Sequence, residues 1–233
     1  FAGNAALLGC CDVIIATKNS NIGMGGPAMV EGGGLGSFRS EDIGPARVQH
    51  ANGVIDVLVD DENQAVAAAR QYLGFFQGVQ SGWQAPDAAA LRAVVPENRL
   101  RVYDTRQAVE GVADAGSVLY LRTGFGAGIH TALVRIEGRP VGVLANNPAH
   151  LGGAIDADAA DKAARFMQLC NAHGLPLLSF VDTPGFMVGP ATEETAQVRH
   201  VSRMFIAAAH LRVPFVSVVL RKGYGLGAMA MTA

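Results

Sequence analysis

Two hydrophobic rhythms alternate along the chain. Short runs with little polar interruption lie at Asp12 to Thr17, Gly53 to Val59, Val118 to Arg122, Ala132 to Glu137, Pro140 to Ala145, Leu175 to Val181 and Val213 to Leu220. Their length and β-branched content predict strands. Between them, apolar residues recur every three to four positions over Asp60 to Gln77, Asp104 to Ala113, Asp156 to Ala172 and Thr192 to Leu211, which predicts helices. In the first helix Ala65, Val66, Ala69, Leu73 and Phe76 recur at helical spacing, and acids in its first turn suit the positive end of the helix dipole. Asp104 is a candidate cap for the second. Gly138-Arg139 between two strands predicts a hairpin. Pro176 and Pro214 stand at strand starts, where a missing N–H is tolerated. Short apolar strands separated by amphipathic helices predict parallel strands covered by helices, the α/β class.

Glycine and proline punctuate this pattern. From Gly23 to Gly36, seven of fourteen residues are glycine, which predicts a loop with positive φ or close backbone approach. Gly78 to Pro86 is polar and glycine-marked, the best internal boundary. Asp87 to Pro96 continues that connection with at most a helical turn.

Composition narrows the classes. Half the residues are hydrophobic, and 16% are charged against roughly 25% in an average chain, so part of the surface should be covered by a partner or by further sequence. A net charge of −2 gives no footprint for nucleic acid. No apolar run approaches the roughly 20 residues of a membrane span, and the opening FAGN lacks the basic region of a signal peptide. Three cysteines without CxxC spacing argue against zinc or disulfide frameworks and for a reducing, cytoplasmic setting. Starting at Phe1 and stopping within the glycine-rich Gly223 to Ala233, the chain reads as an internal fragment.

Function in open α/β sheets gathers where loops leave the carboxyl ends of strands. Three loops qualify: Ala145 to Gly153, Val181 to Pro190 and Arg221 to Ala228. Each pairs glycines with a helix start, so unpaired N–H groups can hold a phosphate or a developing oxyanion. Other chemistries lack support. Asp182 to Gly185 has a DxxG form but no phosphate-binding GxxxxGK[ST] accompanies it, and no GxSxG elbow is present. The six histidines show no metal spacing, and Asp156, Asp158 and Asp161 are explained by helix capping, so no metal site is expected. The methionines read as core filler, and Cys10 and Cys11 as inert thiols. What remains is backbone, suited to enolates or tetrahedral oxyanions.

At these loops a family becomes recognisable. GRPVGVLANNP from Gly138 to Pro148, GGAID from Gly152, KAARF from Lys162, FVDTPGF from Phe180 and RKGYGLGA from Arg221 resemble the carboxyltransferase component of biotin-dependent acyl-CoA carboxylases. The resemblance extends back through Glu41 to Gly44 and His50 to Asp56, and so covers nearly the whole chain. It implies a crotonase-like fold (the ClpP/crotonase superfamily of ββα units) in two partial subdomains. Residues 1–80 would be the C-terminal half of an acyl-CoA-binding subdomain, 81–95 a linker, and 96–233 the N-terminal half of a biotin-binding subdomain.

The implied reaction moves a carboxyl group from carboxybiotin to the α-carbon of an acyl-CoA thioester. Biotin itself takes the α-proton, and backbone oxyanion holes hold the enolate. By position, the resemblance assigns the thioester hole to Gly3 and Asn4 and the biotin-side donors to Gly227 and Ala228. Gly225, Leu226, Gly152, Gly153, Asp182, Pro184, Gly185 and Phe186 would line the biotin cleft. The implied cofactors are biotin on a carrier and coenzyme A in the substrate. The implied partners are an acyl-CoA, a biotin carboxyl carrier protein, a biotin carboxylase and further copies of the chain in a dimer-built oligomer, up to a hexamer. Acetyl, propionyl and longer acyl groups stay open. A crotonase-type hydratase or decarboxylase working without biotin, or an inactive assembly module, are the competing readings.

Overall fold

A computed structural model describes all residues from 1 to 233. The chain divides into two compact units, Phe1–Gln71 with Arg122–Phe125, and Tyr72–Leu121 with Gly126–Ala233.

The first unit is small. Helix α1 (Gly3–Gly9) leads to strand β1 (Ile15–Thr17); helices α2 (Pro27–Gly32) and α3 (Ala46–Ala51) precede β2 (Val57–Val59), and α4 (Glu62–Gly74) follows it. β1 and β2 pair in parallel, Ile15 opposite Val57. Ile14, Ala16, Ala46 and Ile55 form the core. The glycine stretch expected to be loop contains α2, because Pro27 at its first turn presets the helical φ. Between β2 and α4 the acids do what the pattern predicts: Asp61 Oδ1 accepts the Gln64 N–H at 2.9 Å.

The tetrapeptide Arg122–Phe125 belongs to this unit although it lies far along the chain. Arg122 Nε pairs with Asp56 Oδ1 at 2.9 Å, and the Ile14 N–H donates to Asp56 Oδ2 at 2.8 Å. Gly53 faces the Phe125 ring so closely that a Cβ there would stand 2.8 Å from it.

The second unit is built on a five-stranded sheet in the order β3-β4-β5-β6-β7. Its strands are β3 (Leu119–Leu121), β4 (Ile129–Ile136), β5 (Arg139–Asn146), β6 (Leu177–Thr183) and β7 (Phe215–Gly223). β3, β4 and β5 pair antiparallel, while β5, β6 and β7 pair parallel. The strands that helices separate are parallel as expected, and the expected hairpin makes β4 and β5 antiparallel. A two-residue link between β4 and β5 forces them antiparallel. That link is Glu137-Gly138, both at positive φ, with Ile136 opposite Arg139, one residue earlier than expected. Asp114 accepts the N–H groups of Glu137 at 3.0 Å and Gly138 at 2.7 Å, which fixes the turn.

On one side of the sheet lie Tyr103, Val109, Val134, Val143 and Phe180, gathered with α5 (Arg106–Val112). Asp104 supports α5 by accepting the Arg106 N–H at 2.9 Å, although Thr105 stands at the cap position. Helix α6 (Ala157–Ala172) buries Ala159, Ala160, Ala163, Met167 and Cys170. It is capped as expected by Asp156, whose Oδ1 takes the Ala159 N–H at 2.9 Å. β5 approaches α6 at Gly142, where a Cβ would come 2.4 Å from Cys170 Sγ. The helix expected over Thr192 to Leu211 is two, α7 (Pro190–Glu193) and α8 (Gln197–Ala209), broken at Ala196 in the left-handed region. The last helix, α9 (Gly225–Thr232), starts two residues after β7 ends. No helix is long and apolar enough to cross a membrane.

Candidate active site

Ten of the twelve expected site residues lie in the second unit, at the carboxyl ends of β5, β6 and β7. After β5 the chain turns through Gly152 and Gly153, both at positive φ. A Cβ on Gly153 would fall 2.3 Å from the Asp182 carbonyl oxygen, so this loop packs backbone to backbone on the end of β6. Beyond β6 comes the turn Thr183 to Phe186. Thr183 Oγ1 takes the Gly185 N–H at 3.1 Å, and the Gly185 carbonyl takes the Ile155 N–H at 3.0 Å. Pro184 is exposed, Gly185 is buried, and the half-buried Phe186 meets Phe205 of α8 edge-on at 6.0 Å.

After β7, the Tyr224 N–H donates to the Thr183 carbonyl at 3.1 Å and α9 begins. Gly227 presses against the same turn: a Cβ there would stand 2.6 Å from the Gly185 carbonyl carbon and 2.9 Å from the Phe186 nitrogen. Gly225 and Leu226 are exposed. The first intrahelical bond of α9 runs from the Ala228 N–H to the Tyr224 carbonyl at 3.3 Å. The N–H groups of Gly225, Leu226 and Gly227 precede it and have no acceptor within the helix. Ala228 thus differs from its expected partner Gly227 in already giving its N–H to the helix.

A cavity of about 320 Å³ opens beside these loops, lined among others by Leu151, Asp158, Met187, Thr192 and Gln197. Leu151 and Met187 are the immediate neighbours of Gly152 and Phe186. Gln197 is buried, gives its Nε2 to the carbonyls of Ile155 (3.0 Å) and Met187 (3.2 Å), and leaves Oε1 without a partner. On the cavity wall, burial, with Asp156 and Asp161 nearby, raises the pKa of Asp158.

Asp182 is where side-chain chemistry concentrates. It is fully buried, with Tyr103, Arg221 and Lys222 around its carboxylate. Tyr103, Asn146, Arg221 and Lys222 were not among the expected site residues. Only their place at strand ends, beside named loop residues, could have signalled them; Tyr103 carries no such signal.

The other two expected residues, Gly3 and Asn4, lie in the first unit, in the exposed first turn of α1. The first helical bond there runs from the Ala6 N–H to the Ala2 carbonyl at 3.0 Å, so the N–H groups of Gly3 and Asn4 have no acceptor within the helix. The side chain of Asn4 leaves its main-chain donor intact. No group of three or more His, Cys, Asp or Glu side chains is arranged to hold a metal ion.

Glycine turns stacked at the ends of parallel strands, with the Asp182 carboxylate turned inward, are an arrangement for binding through the main chain. The chain belongs to the carboxyl transferase domain family, whose sequence signature matches residues 1–233. Its fold is the α/β, crotonase-like class that the motifs implied.

The particular relatives are informative. The chain is 35% identical over 246 residues to the biotin-dependent acetyl-/propionyl-coenzyme A carboxylase beta6 subunit of Mycobacterium tuberculosis, covering 100% of this chain and 51% of that protein. It is 31% identical over 229 residues to the methylmalonyl-CoA carboxyltransferase 12S subunit of Propionibacterium freudenreichii, covering 94% and 44%. Among solved structures, it superposes on a single-chain, multi-domain long-chain acyl-CoA carboxylase with a TM-score of 0.97 at 61% identity, covering 99% of this chain and 23% of that one. The chain spans about half the length of the curated relatives it matches.

Proposed function

We propose that these residues form part of an acyl-CoA carboxyltransferase that works with biotin on a carrier. The observation that carries this reading is the stack of Gly153, Gly185 and Gly227. It packs the start of α9 on the Gly185 turn, so that main-chain N–H groups gather at the strand ends, where the one histidine of the loops, His150, is already held by Asp156 at 3.0 Å. Backbone donors suit a reaction whose charge develops on carbonyl oxygens.

The site fits the cofactor on two counts. Three main-chain N–H groups at the start of α9 have no acceptor within the helix, and the cavity beside Leu151 and Met187, about 320 Å³, has the size of a small ring system. Biotin, when bound, supplies the carboxyl group and the base for the α-proton. The chain's own part is binding and orientation. Gly227 and Leu226 N–H groups, with Gly225 at the mouth and Ala228 completing the turn, hold a carbonyl oxygen on the biotin side. Gly152, Gly153, Asp182, Pro184, Gly185 and Phe186 shape the cleft. In the first unit the N–H groups of Gly3 and Asn4 take the thioester oxygen as it becomes an enolate. Residues 1–80 thus serve the acyl-CoA, 81–95 link, and 96–233 serve biotin.

Relatives named as a beta6 subunit, a 12S subunit and a single-chain carboxylase support partners of three kinds: an acyl-CoA, a biotin carboxylase with its carrier protein, and further copies of the chain. The cytoplasm is the proposed compartment.

Incubating the intact protein with malonyl-CoA or methylmalonyl-CoA and free biotin tests this. Biotin-dependent loss of the carboxyl group is expected. Turnover of an enoyl-CoA that ignores biotin would replace the proposal with a hydratase.

A further inference from the structure

The pairing of β6 with β7 slips just before the site. Val181 faces Val219, yet Thr183 faces Gly223. The single residue Asp182 therefore spans Leu220, Arg221 and Lys222, a bulge in β7 of the kind that re-aims chain next to active sites.

Asp182 is 0% exposed. A carboxylate so removed from water persists only when paired and hydrogen-bonded. Tyr103 Oη donates to Oδ2 at 2.7 Å, and the Lys222 N–H donates to Oδ1 at 3.2 Å. Arg221 Nε lies 3.2 Å from Oδ2 as an ion pair without hydrogen-bond alignment, and Lys222 Nζ lies 3.6 Å from Oδ1. Of the roughly four acceptor positions of a carboxylate, two are taken by hydrogen bonds, and both cations of the pairing come from this chain.

Each partner reaches a different segment. The Arg221 guanidinium sits over the Tyr103 ring at 4.9 Å, and its Nη1 donates to the carbonyls of Arg99 (3.1 Å) and Arg101 (2.8 Å). Lys222 Nζ donates to the Gly152 carbonyl. Asn146 Oδ1 takes the Asp182 N–H at 3.0 Å. Asp182, through its main-chain N–H and its buried carboxylate, thus joins the ends of β5, β6 and β7 to the stretch from Arg99 to Tyr103.

Resting on the carboxyl-transfer reading above, we infer that Asp182 is a positioning residue, with Tyr103 as its outer anchor. Its carboxylate closes the β7 bulge and so fixes where α9 begins and where the Gly225 to Gly227 N–H groups point. The Tyr103 phenol, its pKa raised by burial and by the carboxylate it bonds, keeps its proton and remains a donor at ordinary pH.

The test compares Asp182→Asn and Tyr103→Phe in the intact protein, by hydrogen exchange and by biotin-dependent decarboxylation. Tyr103→Phe removes one hydroxyl and keeps the ring under Arg221, so it remains informative if Asp182→Asn folds poorly. The expected result is exchange at least tenfold faster over residues 219–228, with α6 unchanged. Turnover at saturating biotin should fall about tenfold for Tyr103→Phe and further for Asp182→Asn, with KM for acyl-CoA within twofold. A raised KM for biotin with unchanged exchange would overturn the inference and make Asp182 a ligand contact. Faster exchange everywhere would also overturn it, as a general core effect. If the parent protein lacks biotin-dependent activity, the carboxyl-transfer reading fails, while local exchange still decides the positioning role.

Discussion

Gly225 and Gly227 stand two residues apart in one helical turn and need glycine for opposite reasons. Gly225 has a φ of 58° and open space around it, whereas Gly227 has ordinary φ and no room. Gly225→Ala should therefore cost about 1–2 kcal/mol of backbone strain. Gly227→Ala should push the Gly185 turn aside and lower biotin-dependent turnover about a hundredfold, the scale of losing one oxyanion donor. Thermal melting and steady-state kinetics of the two variants separate these effects. A second residue-scale prediction concerns His130, whose Nε2 is buried without a partner. Burial first, then Lys162, lower its pKa to about 4, well under the unfolded value near 6.5. The folded state thus binds fewer protons, so this contribution is whole above about pH 6.5 and lost as pH falls toward 4. Its size is on the order of 2–3 kcal/mol. Urea unfolding at pH 7.5 and pH 5 should show this loss, and His130→Gln should flatten it. At this scale the glycine loops were legible, because few other reasons put glycine after strands. The buried charges were not. Tyr103 lies 79 positions from Asp182, and no local pattern pairs them.

Among the elements, the long ones followed their periodicity and the breaks did not. α6 runs as its spacing required, capped by Asp156. The periodicity also continues across Ala196, yet the chain there adopts φ 58° and ψ 39° and two helices result. Gln197 explains the break: its amide is drawn inward to the Ile155 and Met187 carbonyls, and nothing in the periodicity encodes that bond. The left-handed cap predicts how substitutions there behave. Glycine relieves strain of roughly 1 kcal/mol but gains unfolded entropy of similar size. Ala196→Gly should leave the melting temperature within about 2 °C, or slightly raised. Ala196→Val, β-branched in a conformation that such residues avoid, should lower it by roughly 3–6 °C. A single continuous helix over Thr192 to Leu211 would predict the reverse order, with glycine the worse of the two.

At the scale of the molecule, the alternation of strands and helices carried the α/β class, and the motifs carried the family. The composition of the first unit was the part hidden from the sequence. Residues Arg122–Phe125 lie between β3 and β4 of the second unit yet complete the first, and only a long-range contact can reveal that. Their attachment rests on Asp56 and Arg122, 5% and 15% exposed, with the Arg122 N–H also donating to the Asp56 carbonyl at 2.7 Å. Arg122 holds this place at a φ of 55°, a conformation that costs a non-glycine residue roughly 1 kcal/mol, so the pair must outweigh that strain. Removing one member of a buried pair strands the other charge and costs about 3–5 kcal/mol. The core beneath it, four side chains around Ile14 and Ile55, has little surplus to absorb such a loss. Asp56→Ala in the intact protein should therefore speed hydrogen exchange across β1, β2 and α3 by two orders of magnitude or more. Replacing both partners, as Asp56→Leu with Arg122→Met, should restore much of that protection, because neither charge is then left alone. Should the double variant exchange as fast as Asp56→Ala, the hydrogen bond from the Ile14 N–H to the Asp56 carboxylate, rather than the compensated charges, holds the first unit together.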